Sequence, residues 1–218
     1  MKKMHYVVIA LWLLVCSATS SSAGVSVGIG IGTPNMSLGI NFSSVPELVP
    51  VPGYPVYYAP QASANYFFYD GMYWVFENNT WYASSWYNGP WGLVDPLSVP
   101  VYILQVPVRY YRLPPPYFRG WEPGRAPHWG EHWGPEWKKG RKGWDKRPAG
   151  PVPAAAPVPV YQRHYPREQY PKGEQQHQIH NEQYRYQPRE PVVQQHYQRH
   201  GQKGPEHDHG EGHGHGHD

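Results

Sequence analysis

Apolar and polar positions alternate with period two in two stretches of the chain. Val25, Val27, Ile29 and Ile31 fall on one side and Ser26, Gly28, Gly30 and Gly32 on the other. After Thr33-Pro34-Asn35 the alternation resumes at Met36, Leu38, Ile40 and Phe42. Period two about a turn signal predicts a β-hairpin over 25–42. An apolar-faced hairpin is a pairing hazard when exposed, so it is expected to dock on this protein or on another. Five prolines between Pro46 and Pro60 then predict an extended connector, since proline lacks an amide donor and restricts the residue before it.

The second stretch, YFFYDGMYWVFENNTWYASSWYNGPWGLV from Tyr66 to Val94, is aromatic throughout. Asp70-Gly71 predicts a two-residue hairpin turn, because both residues tolerate positive φ; Asn78-Asn79 and Asn88-Gly89 predict two more turns. The first turn sets Phe67 opposite Trp74 and Phe68 opposite Tyr73, and the second sets Phe76 opposite Trp81 and Val75 opposite Tyr82. One face then collects Phe67, Tyr69, Met72, Trp74, Phe76 and Trp81. The other collects Tyr66, Phe68, Tyr73, Val75 and Tyr82, and its hydroxyls make the first the expected core face. Val101 to Arg112 is expected to add a further strand, with Pro107 confining it to an edge.

Globular patterning fades after Arg112. Trp129, Trp133 and Trp137 recur at helical spacing, but Gly130, Gly134 and Pro135 limit this to a short helix. Residues 148–159 read as polyproline-like chain. From Tyr161 onward Gln, Arg, Tyr, His and Pro alternate with almost no aliphatics, a composition that predicts disorder. The expected fold is therefore mainly β: a small antiparallel aromatic-rich β meander with a largely disordered Pro/Gln/His-rich C-terminal half. Its divisions are 1–23 signal peptide, 24–53 hairpin and Pro-rich connector, 54–112 aromatic β module, 113–147 Trp/basic linker with a short helix, and 148–218 disordered tail.

The division at 1–23 rests on Lys2, Lys3 and His5 ahead of an apolar run from Val7 to Cys16, too short to span a bilayer. Ser21-Ser22-Ala23 fits a cleavage site, giving a mature chain from Gly24 that is exported to the periplasm or cell envelope, or secreted, and is not transmembrane. Val15 before Cys16 argues against lipidation. Cleavage removes the only cysteine, leaving no disulfide to staple a small core.

Charge changes the picture of partners. The net +3 divides into −4 over 24–108, +9 over 109–203 and −4 over 204–218, with Lys2 and Lys3 making up the rest. A basic middle with interleaved tyrosines suits polyanions by charge and stacking. Export directs this toward lipopolysaccharide, anionic wall polymers or other envelope proteins, with no specific nucleic acid. No nucleophile–base pattern, phosphate loop or carboxylate pair stands out, and no cofactor is required. HWGEH, with His128, Glu131 and His132, lacks the adjacent His-Glu start of the zinc proteases. The tail EHDHGEGHGHGHD holds His207, His209, His213, His215 and His217, whose neutral imidazoles suit Ni²⁺, Zn²⁺ or Cu²⁺.

At YDGMYW, NNTWYASSWYNGPW, VPVRYY and PPYFRGW the chain resembles a group of uncharacterised exported proteins of Gram-negative bacteria, over roughly residues 24–146. The resemblance implies a periplasmic or envelope location and brings no activity and no functional residues. Two functional readings result. One is a non-enzymatic envelope protein that binds or scaffolds through its aromatic module and basic tail. The other is a periplasmic divalent-metal buffer acting through the histidine tail.

Overall fold

The computed structural model describes residues 31–32 and 37–201. The proposed signal peptide, most of the first alternating stretch and the five tail histidines lie outside the described residues. Six strands form one antiparallel sheet in sequence order: β1 Val49–Pro50, β2 Tyr57–Tyr58, β3 Asn65–Tyr69, β4 Met72–Glu77, β5 Thr80–Ser84 and β6 Gly92–Val94. The β3–β4 turn has φ +53° at Asp70 and +86° at Gly71, and the β4–β5 turn has +48° and +63° at Asn78 and Asn79. These are the left-handed conformations that two-residue hairpins demand. They produce the expected register, with Phe67 opposite Trp74, Phe68 opposite Tyr73, Val75 opposite Tyr82 and Phe76 opposite Trp81.

Both faces of this sheet are core, not one. Phe67, Tyr69, Met72, Trp74, Phe76 and Trp81 are buried with Ile103, Leu104, Tyr111, Phe118, Trp129 and Trp137. On the reverse, Tyr66, Phe68, Tyr73, Val75 and Tyr82 are buried with Ile40, Tyr87, Trp91 and Ala156. The hydroxyls on that face do find partners: Tyr66 donates to the Tyr87 carbonyl at 2.7 Å and Tyr73 to Gln162 Oε1 at 3.0 Å. A sheet covered on both faces needs elements from outside it, and the rest of the chain supplies them.

Val101 to Arg112 is one such element and is not a strand. Val101–Leu104 forms a short helix, α1, and Val108–Tyr110 a 3-10 turn. A run this short cannot be told from a strand by periodicity, and the prolines at 100 and 107 bracket it as a separate turn of helix. The tryptophan stretch gives two short helices, α2 Trp129–His132 and α3 Gly134–Gly140, broken where Gly134 takes φ +81°. The Trp129 indole donates to the Leu104 carbonyl at 3.0 Å and that of Trp137 to the Pro96 carbonyl at 3.1 Å, which fixes this layer to α1 and the loop before it.

The largest departure from expectation is at 148–201. Residues 148–159 are non-helical, as expected, but α4 Gly173–Gln183 and α5 Pro191–Gly201 follow, and the segment packs on the sheet. Gln162 and Val193 are fully buried. Gln162 donates to the Ser85 carbonyl at 2.8 Å, and the Trp86 indole donates to the Gln176 carbonyl at 3.2 Å. Burial here comes mainly from tyrosine rings and glutamine amides docking on the aromatic sheet, with Ala156 and Val193 the buried aliphatics of the segment's own. Helical segments accordingly hold more residues than strands, so mainly β describes the sheet and not the described chain.

The first alternating stretch also ends differently from a simple hairpin. Ile31 makes an antiparallel bridge to Val94 and the Gly32 amide donates to the Leu93 carbonyl at 2.7 Å, so this point docks on β6. Residues 37–42 form no strand; Phe42 exchanges backbone bonds with the Asn88 side chain, and its ring meets Tyr66 edge-on at 5.1 Å.

Candidate functional site

With both sheet faces covered, the tryptophans of the β module offer no exposed stacking platform. One concave surface in the described chain is built by the C-terminal segment. Its construction starts at Asp70, which is fully buried in the β3–β4 turn. Asp70 Oδ1 accepts from the Tyr186 hydroxyl at 2.7 Å, and both carboxylate oxygens accept from the Arg189 amide at 3.0 and 2.9 Å. Oδ2 also accepts from the Glu190 amide at 2.8 Å, while Arg189 Nε lies 3.8 Å from Oδ1. A carboxylate with this many donors is satisfied without water, which allows its burial.

That clasp places Tyr184 and Tyr186 over the turn. The opposite wall is Pro157 to Tyr165, joined to the first by the Tyr184 hydroxyl donating to the Pro157 carbonyl at 2.6 Å. Behind it the Trp86 ring sits edge-on to Tyr161 and Tyr165 at 5.8 and 5.5 Å. Between the walls is an open groove of about 850 Å³ lined by Tyr161, Tyr165, Tyr184 and Tyr186 with Arg163, His164 and Arg185. No Asp or Glu is among its described lining residues.

The Tyr161 and Tyr186 phenols stay protonated at neutral pH. Burial pushes Tyr161 up to about 12, and burial with the Asp70 contact pushes Tyr186 up to about 12. Tyr161 is further oriented by Gln162 Nε2, which donates to its hydroxyl at 3.1 Å, and by His180 Nδ1 at 3.0 Å. The groove thus presents aromatic ring faces and two exposed guanidinium groups.

Composition predicts disorder over 161–202, and a disordered chain brings none of these seven side chains together. The signal was present as the Arg/Tyr alternation itself. His128 and His132 are not joined in one site: His128 stacks on Trp121 and lies 3.3 Å from Glu131, whereas His132 stacks on Tyr117 at 4.1 Å and bonds Asn79. Among the described residues no cluster of three or more His, Cys, Asp or Glu is placed to hold a metal ion, and no helix is long and apolar enough to cross a membrane. No protein-family model, curated protein or solved structure matches the chain.

Proposed function

We propose that this chain is a non-enzymatic exported envelope protein whose folded module binds an acidic glycan chain of the cell envelope. The observation that supports this reading is the groove lined by four tyrosines, Arg163, His164 and Arg185, with no carboxylate among its described lining residues. Tyrosine rings offer apolar faces to the C–H faces of pyranose rings, while the hydroxyls of Tyr161, Tyr184 and Tyr186 are held by His180, the Pro157 carbonyl and Asp70 and fix the rings in place. Guanidinium groups match carboxylate and phosphate oxygens in a bidentate fork. Because Arg163 and Arg185 are exposed, binding should weaken as salt rises.

Calorimetric titration with a polyuronate oligosaccharide, beside neutral dextran and single-stranded DNA, tests it. The expected result is salt-sensitive polyuronate binding that falls about tenfold or more in the Arg163→Ala/Arg185→Ala variant, the loss of one or two charge-assisted contacts. Equal binding of dextran, preference for DNA, or indifference to both substitutions would overturn the reading. The divalent-metal reading of His207, His209, His213, His215 and His217 is separable, since only metal binding should vanish when Gly204–Asp218 is removed.

A further inference from the structure

We infer that Asp70 is the positioning residue of the groove: its carboxylate clamps residues 186–190 to the β3–β4 turn, so that arm closure and ligand binding are one coupled event. The inference rests on the groove being the binding site and goes beyond that reading. Asp70 lies more than a hundred residues from the segment that it holds, yet it takes hydrogen bonds from Tyr186, Arg189 and Glu190. Two further contacts converge on the same turn. The Tyr69 hydroxyl donates to Glu190 Oε1 at 2.6 Å, and the Tyr197 hydroxyl donates to the Gly71 carbonyl at 3.1 Å. A Cβ on Gly71 would meet the Tyr186 and Tyr184 rings at 3.2 and 3.3 Å, so the groove wall rests directly on the turn. Arg189 then reaches across to the Ala154 carbonyl at 2.6 Å, joining the clasp to the chain just before the opposite wall.

The physical asymmetry of Asp70→Asn makes the idea testable. Asparagine has nearly the same volume and tolerates the φ of +53° at this position, so the hairpin turn is kept. Its oxygen can keep the Arg189 and Glu190 amides, but its amide nitrogen then faces the Tyr186 hydroxyl and the Arg189 guanidinium, so the charge-assisted bonds and the ion pair of the clasp are lost. Removing a negative charge near the groove would by Coulomb attraction alone strengthen the binding of a polyanion. The clasp predicts the opposite sign.

The experiment combines amide hydrogen exchange with polyuronate titration on the full chain. In Asp70→Asn, exchange over 184–201 should accelerate by about tenfold or more while β3–β5 stay protected, and the polyuronate dissociation constant should rise by about tenfold. Saturating polyuronate should slow exchange over 184–201 in the unsubstituted protein. Tyr186→Phe keeps the ring and removes one donor to Asp70, so it should move both readouts in the same direction by less; it decides the matter if Asp70→Asn does not fold. Unchanged exchange in both variants, or faster exchange with unaltered polyuronate affinity in a protein that still requires Arg163 and Arg185, would overturn the coupling. Should polyuronate bind without regard to Arg163, Arg185 and Asp70 alike, while the arm still loosens in Asp70→Asn, the binding reading fails and the clasp stands only as a structural contact.

Discussion

Single side chains in this protein are held by burial among aromatic rings, and His180 shows what that costs. It lies in α4, buried against Tyr197, whose ring it stacks on at 4.7 Å. Burial, with His177 beside it, pushes its imidazole down to about 4. An unfolded histidine protonates near 6.5, so between those values the unfolded state binds the extra proton and the fold loses stability. The contribution is fully present above about pH 6.5 and is lost as the pH falls toward 4, on the order of 3 kcal/mol in all. His180→Gln retains an acceptor for the Tyr161 hydroxyl but cannot titrate. Its urea midpoint should fall less than that of the parent protein between neutral pH and about pH 4.5. Parallel pH profiles for the two proteins would mean that His180 is solvated in the native state.

At the scale of elements, what was legible depended on how local the cause is. The Asp70-Gly71 and Asn78-Asn79 turns need only residues that accept positive φ, and the register of β3, β4 and β5 follows from counting outward. The covering elements were not legible, because a four-residue helix such as α1 carries no periodicity and its burial depends on Trp129, which lies a quarter of a hundred residues away. Gly92 illustrates a constraint visible only in three dimensions. A Cβ there would lie 2.5 Å from the Gly32 carbonyl oxygen and 2.7 Å from Ile31 Cγ2. Gly92→Ala should therefore destabilise by about 1–3 kcal/mol through overpacking at the β6 edge. Gly39→Ala, with nothing within 4 Å, should be close to neutral. Chemical denaturation of the two variants checks the contrast, and equal midpoints would mean that Ile31 and Gly32 do not hold the β6 edge.

For the whole molecule, the composition rule that predicted disorder after residue 148 counts what a segment can bury by itself. Residues 161–197 have few aliphatics, yet Tyr161, Tyr165 and Tyr170 surround Trp86, Gln162 bridges Tyr73 and Ser85, and Tyr186 reaches Asp70. Each of these partners lies more than seventy residues distant, beyond any window read along the chain. The groove inherits that origin: its tyrosines and arginines looked like a solvated tail because the sheet that orders them was read as a separate unit. Sheet and C-terminal segment fold as one unit, which limited trypsin digestion followed by intact mass can check. Arg163, Arg167, Lys172, Arg185 and Arg189 supply cleavage sites throughout the segment. These sites should resist cleavage in the native protein, and a protected fragment should run through to about residue 200. A protected fragment ending near residue 120, with all five sites cut as fast as in urea, would contradict it.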